Sequence, residues 1–324
     1  MLLEIRHVTE FRYDSPVRES VMELWMQPQK SGRQRLISFE LDIDPPTRLF
    51  SYADPFGNAV YHFDVPHPHD ALTIVARSAV ESQAAPPLPE ALDYGEWDRL
   101  RSGFVQRDAF EFLHPHTFTQ PTPALRAFIA EKGLERLRAT DPLTAVRDLM
   151  RIIYEAFEYE TGVTTADSPL DHALAEGRGV CQDFTHIMIA ICRLWGLPAR
   201  YVSGYLFNDH QHGERSDPDA SHAWVEVLLP SLRWVGLDPT NNVEAGERHI
   251  AVAVGRDYSD VPPTRGVFKG DAESALSVGV SVRPARSAVA EPEFLRTRQA
   301  FLSSGVRRPR PAGGLDYQQQ QQQQ

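Results

Sequence analysis

The sequence predicts an α+β protein, with an N-terminal antiparallel β domain followed by a core in which a helix carrying a cysteine packs on an antiparallel sheet. Three observations predict it. Over the first eighty residues apolar and polar side chains alternate with period two, between turns rich in Pro, Gly and Asn. From Thr122 to Trp195 apolar residues recur at three- and four-residue spacing. After Pro198 come three short runs of strand-forming residues.

The strands of the β domain are expected over 2–13, 21–27, 38–43, 59–65 and 72–82. Asp14-Ser15-Pro16, Asp44-Pro45-Pro46 and Asp54-Pro55-Phe56-Gly57-Asn58 separate them, supplying Pro for a fixed φ or Gly and Asn for a positive one. Three prolines within 84–89 open a polar connecting stretch. The expected organisation is therefore a β domain over 1–83, a linker over 84–120, a core over 121–283 and a low-complexity, disordered tail over 284–324 that ends in eight glutamines.

In the core, helices start at Thr122-Pro123 and at Asp141-Pro142, where a capping side chain precedes Pro at the first helical position. A third helix begins at Cys181 and stops at Trp195, before Gly196-Leu197-Pro198. Strands are expected over 199–207, 221–229 and 233–237, the last two joined by a hairpin-length connection.

Composition excludes several function classes. With 33 basic against 44 acidic residues, the net charge of −11 argues against nucleic acid as a partner. No run approaches the roughly 20 apolar residues of a membrane span, and the start Met-Leu-Leu-Glu-Ile-Arg-His lacks a basic region followed by an apolar one; a soluble, cytoplasmic protein is expected. The two cysteines, Cys181 and Cys192, exclude a four-thiolate zinc site. Eleven residues apart on one helix, they stand about 16 Å apart along its axis and cannot bridge. The pairs His67/His69, His114/His116 and His210/His212 lack a third ligand at fixed spacing, so no metal and no cofactor is expected.

A thiol at a helix N-terminus meets unpaired N–H groups and the positive end of the helix dipole, which favour a thiolate and can also hold an oxyanion. Gly177 and Gly179 let the backbone there approach a substrate closely. His222 begins one hairpin strand and Asp238 ends the next, so positions summing to about 460 face each other and an Asp can orient an imidazole. A one-residue bulge would put the two on opposite faces. Cys192 reads as a buried small hydrophobe. Asp183 is either a helix-start carboxylate or a substrate contact, and Trp224 either shields His222 or fills the core. Gly255-Arg256-Asp257-Tyr258 either lines the cleft or forms a surface turn.

Four blocks, Gly179-Val180-Cys181-Gln182-Asp183-Phe184, Gly196–Tyr205, Ser221-His222-Ala223-Trp224-Val225-Glu226 and Trp234-Val235-Gly236-Leu237-Asp238-Pro239-Thr240, resemble the bacterial and archaeal branch of the transglutaminase-like superfamily. His7-Val8-Thr9-Glu10-Phe11-Arg12-Tyr13 and Asp54–Asn58 resemble the region that precedes the core in that branch. The resemblance implies a papain-like core with Cys181 as nucleophile, His222 as base and acid and Asp238 as orienter. Tyr159 is a candidate second oxyanion donor. The implied reaction is hydrolysis or acyl transfer at an amide of a peptide or protein substrate through a thioester, with protease or amidase activity slightly favoured. The alternatives are a protein-glutamine transglutaminase, an acyltransferase with a small thioester donor, and a non-catalytic peptide-binding module.

Overall fold

The computed structural model describes residues 1–208, 215, 220–285 and 317–321. In chain order its elements are β1 (Leu2–Val17), β2 (Glu19–Leu24), β3 (Gln34–Asp44), β4 (Phe50–Ala53), β5 (Ala59–Val65), β6 (His69–Ser82), α1 (Glu96–Leu100), α2 (Gly103–Asp108), α3 (Pro123–Lys132), α4 (Pro142–Ala156), β7 (Glu158–Tyr159), α5 (Leu170–Glu176), β8 (Arg178–Gly179), α6 (Cys181–Leu194), β9 (Ala199–Leu206), β10 (His222–Leu229), β11 (Arg233–Asp238), β12 (Val243–Glu244), β13 (His249–Gly255), β14 (Thr264–Lys269), β15 (Ser274–Pro284) and β16 (Tyr317–Gln321).

The N-terminal strands form two antiparallel sheets, ordered β15-β1-β6-β3 and β16-β14-β2-β5-β4. Alternation decides which side of β1 is inside: Leu3, Ile5, His7, Thr9, Phe11 and Tyr13 are buried while Glu4, Arg6 and Arg12 are exposed. Strands β14 and β15, which the sequence assigns to the core, return to pair with β2 and β1 across 240 residues of chain or more. Part of the tail read as low complexity, Tyr317–Gln321, pairs with β14. The stretch read as a linker contains α1 and α2. Trp97 and Leu100 are buried there, and the Trp97 indole N–H donates to the Thr140 carbonyl at 2.9 Å.

The core sheet runs β12-β11-β10-β9-β13, all antiparallel. Against it lies α6, buried over every residue from Cys181 to Arg193, including the continuous apolar run Ile187–Cys192. The caps foreseen on the flanking helices form. Thr122 Oγ1 accepts from the Leu125 N–H, and Asp141 Oδ1 accepts from the N–H groups of Leu143 and Thr144.

The N-terminal sheets are tied to the core at the two sequence blocks that mark them. His7 Nδ1 and the Tyr205 hydroxyl share a 2.9 Å hydrogen bond, and burial pushes the His7 pKa down to about 4, so the ring is neutral. In the Asp54–Asn58 turn, Asp54 Oδ1 accepts from the Phe56 and Asn58 N–H groups, and Gly57 takes φ +83°, which favours glycine. The turn aims Asn58 at the edge strand β13. Its amide donates to the Val254 carbonyl and accepts from the Val254 N–H, both at 2.8 Å. Gln34 does the same to Ala251, at 2.8 and 2.9 Å. Two side-chain amides thus stand in for a neighbouring strand on β13, which would otherwise bury unpaired backbone groups.

Asn58→Ala leaves a buried donor and acceptor of Val254 without partners. The expected loss is about 2–4 kcal/mol of unfolding free energy, to be read from urea denaturation.

Candidate active site

Cys181 stands at the first position of α6, after Val180 in extended conformation at φ −115° and ψ 179°. The lead-in is shaped by Asp183, whose Oδ2 accepts from the Val180 N–H at 2.9 Å and from the Thr164 hydroxyl at 2.6 Å. Of its two expected roles, then, the carboxylate takes the helix-start one, and burial raises its pKa. A Cβ on Gly179 would lie 2.6 Å from Asp183 Oδ2, so this glycine is required by the cap. Strand β7 runs parallel beside β8, setting Tyr159 opposite Gly179, two residues ahead of the cysteine.

His222 begins β10 and Asp238 ends β11. The ladder pairs Val225 with Leu237 and Leu229 with Arg233, so facing positions sum to 462 rather than the expected 460. The slip is two residues, and parity is kept: His222 and Asp238 are diagonal neighbours on one face. The diagonal is closed by the side chains, with His222 Nε2 donating to Asp238 Oδ2 at 2.8 Å. The other ring nitrogen, Nδ1, is buried and has no conventional hydrogen-bond partner. The Cys181 thiol is close enough to act on the ring. The structure therefore brings together Cys181, His222 and Asp238, and shields them almost completely, at 3%, 2% and 0% exposure.

Burial alone would push the His222 pKa down; the Asp238 carboxylate and Cys181 outweigh it and raise it to about 10. Burial acts to raise Asp238, but His222 and His249 hold it well below the usual carboxylate range. Its Oδ1 also accepts from the Thr240 and Asn241 N–H groups at 3.0 and 3.3 Å, and Oδ2 from Asn241 Nδ2 at 2.8 Å.

Folding raises the His222 pKa above its ordinary 6.5, so this group contributes stability that is fully present below 6.5 and is lost as pH rises through about 10. Asp238, depressed by folding, contributes stability present above its ordinary 3.8 and lost as pH falls toward its folded value. Thermal unfolding of the wild type is expected to move to lower temperature between pH 7 and pH 10, and less so in His222→Gln, as differential scanning calorimetry of the two proteins would show.

Trp224 is buried, with its ring 6.2 Å from His222 and inclined 29° to it. It also belongs to a small cluster with Val202 and Val254 against which Phe56 of the N-terminal turn packs. Both expected roles thus fall to one side chain. Gly204 makes room for it, since a Cβ there would lie 2.2 Å from the Ile250 carbonyl oxygen and 2.8 Å from the Trp224 ring.

Sequence reasoning missed His249, whose Nε2 lies 3.2 Å from Asp238 Oδ2. It occurs in no motif, and only the strand register of β13 against β9 reveals its place. The sequence singled out no role for Tyr201, and Tyr258 only within the segment read as cleft lining or surface turn; the hydroxyls of both are buried without hydrogen-bond partners and close enough to Cys181 to act on it electrostatically, and burial raises both their pKa values. Tyr258 is thus buried, and Asp257 beside it accepts from the Phe118 N–H at 2.7 Å, which removes the surface-turn reading of that segment.

Cys192 lies in the core, its pKa pushed up by burial to about 12. His69 is held by Ser20 and the His67 carbonyl, and His116 by Asp257; His210 and His212 lie outside the described residues. His222, Asp238 and His249 offer atoms within 4.8 Å of one another, as a metal site might. However, His249 Nδ1 accepts from the Gly246 N–H at 3.2 Å, so Nε2 carries the proton and presents N–H, not a lone pair, to Asp238.

A helix-borne thiol, an imidazole and a carboxylate on a papain-like α+β core define a transglutaminase-like protein, and the comparisons agree. Residues 3–81 match the bacterial transglutaminase-like N-terminal region, and residues 134–239 match the transglutaminase-like superfamily core. The chain is 37% identical over 293 residues to an uncharacterized protein of Mycobacterium tuberculosis (strain H37Rv), covering 86% of this chain and 92% of that one. It is 30% identical over 131 residues to a protein-glutamine gamma-glutamyltransferase of Pseudomonas aeruginosa, covering 37% of this chain and 19% of that one. A solved structure from Cytophaga hutchinsonii, provisionally described as a cysteine protease, has the same fold, with a TM-score of 0.67 and 22% identity, covering 88% of this chain and 91% of that one. The chain belongs to the transglutaminase-like superfamily.

Proposed function

We propose that this protein is a cysteine-dependent enzyme that cleaves or transfers acyl groups at an amide bond of a peptide or protein, with hydrolysis as the favoured outcome. The observation that carries the proposal is the placement of His222 between Asp238 and the Cys181 thiol at the head of α6. Cys181 is assigned as nucleophile, His222 as acid and base, and Asp238 as its orienter.

With His222 protonated, the pair is a thiolate and an imidazolium. The thiolate attacks the amide carbonyl, and the tetrahedral oxyanion is held by the Cys181 N–H and a second donor, for which Tyr159 remains the candidate. Imidazolium gives its proton to the leaving amine, and a thioester remains. Neutral His222 then takes a proton from water, whose oxygen attacks the thioester. Collapse of this second intermediate breaks the C–S bond, releases a carboxylic acid and restores the thiolate–imidazolium pair.

A primary amine in place of water gives a new amide instead, and the similarity to the Pseudomonas transferase is the observation that favours this second reading. Incubating the protein with casein and a fluorescent primary amine separates the two. Shorter peptides without fluorescence indicate hydrolysis, and fluorescent casein indicates transfer. The absence of both, across a panel of protein substrates, would favour a peptide-binding role.

No helix among the described residues is long and apolar enough to cross a membrane. A cytoplasmic location remains part of the proposal, to be checked by fractionating cells that express the protein.

A further inference from the structure

His249 is held with unusual completeness for a residue outside the triad. Its ring is buried, stands edge-on to Trp224 with centroids 5.2 Å apart, and lies 6.0 Å from the ring of His222. The Gly246 N–H fixes its tautomer, leaving the Nε2 proton aimed at Asp238 Oδ2, the oxygen that also receives His222. The strand that carries it, β13, is the edge strand gripped by Gln34 and Asn58 of the N-terminal sheets. Arg248, Asp238 and His222 are the charged or titratable groups that act on it; burial, the largest influence, lowers its pKa and keeps it neutral.

We propose that His249 is a positioning residue: a neutral donor that fixes the Asp238 carboxylate against His222, with its own place set through β13 by the N-terminal sheets. A neutral donor holds the carboxylate without competing for its charge, so the full negative charge remains available to the His222 imidazolium. A cation at the same place would divide that charge. The inference rests on the proposed roles of Cys181, His222 and Asp238 and adds a fourth side chain to them. It also gives the N-terminal sheets a function in the chemistry, since losing their grip on β13 would loosen His249.

Two substitutions divide the ring's hydrogen bonds. His249→Gln can place an amide N–H where Nε2 stands, whereas His249→Asn is too short to reach Asp238 but can still accept from Gly246. The readout is the rate of Cys181 alkylation by iodoacetamide between pH 5 and pH 9, followed by intact mass, with circular dichroism to show that each variant is folded. Wild type and His222→Ala are run beside them.

The expected result is that His249→Asn alkylates about tenfold more slowly than wild type at pH 6, the effect of about one pKa unit in the ion pair, while His249→Gln stays within about threefold of wild type. Equal rates for wild type and His249→Asn, with His222→Ala still slow, would overturn the inference and leave the triad standing. Equal slowing of both His249 variants would overturn it too, because a purely structural role does not distinguish them by donor. If wild type and His222→Ala alkylate alike, the triad reading fails and takes this inference with it.

Discussion

Cys181→Ala is expected to abolish turnover while leaving the fold intact, and Cys192→Ala to leave activity close to wild type. The two thiols share one helix and differ in everything that matters for reactivity. Cys181 stands at the N-terminus of α6, with the imidazole of His222 beside it. Cys192 stands eleven residues later, wholly buried in the apolar cluster, where burial disfavours its thiolate. In the proposed mechanism the Cys181 sulfur is the group that forms the thioester, and its removal takes that step away. The measurement is the initial rate of peptide or amide cleavage by each variant, with thermal unfolding as a control. Loss of activity in Cys192→Ala and its retention in Cys181→Ala would reverse the assignment.

Asp238→Asn is expected to lower the rate by about 10³- to 10⁴-fold with little change in the fold. The carboxylate accepts five hydrogen bonds, from His222, His249, Thr240 and twice from Asn241. An amide in its place offers one oxygen, and its NH2 must face some of those donors. If the amide nitrogen turns toward His222, Nε2 must accept instead of donate, which moves the ring proton to Nδ1. The imidazolium also loses its counter-charge. A pH–rate profile of Asp238→Asn should therefore show a lower plateau and a loss of the acid-side advantage of wild type. A near wild-type rate would mean that the hairpin contact does not orient the base.

Five of the six strands of the N-terminal region, all but β4, and the three main core helices are legible in the sequence because their signals are local: alternation in β1 and β6, Thr122 and Asp141 as caps, and Gly196-Leu197-Pro198 after α6. The candidate triad is legible for a related reason, since a helix start and a hairpin fix three residues with little knowledge of the rest. The hairpin register slipped by two, which cost nothing because the period of a strand is two. What could not be read depends on distant pairing. Strands β14 and β15 find their partners near the other end of the chain, and α1 is set by contacts such as Trp97 with Thr140. His249 belongs to the same class: only the register of β13 on β9, and the grip of Gln34 and Asn58 on that strand, place its ring on Asp238.

The central claim is that Cys181 is an activated nucleophile whose reactivity depends on His222. Intact-mass labelling of wild type and His222→Ala with iodoacetamide across pH 5 to 9 tests it without a substrate. Preferential modification of Cys181 over Cys192, already fast at pH 6 and slowed strongly in His222→Ala, is the predicted result. Slow labelling of both cysteines with no dependence on His222 would contradict it.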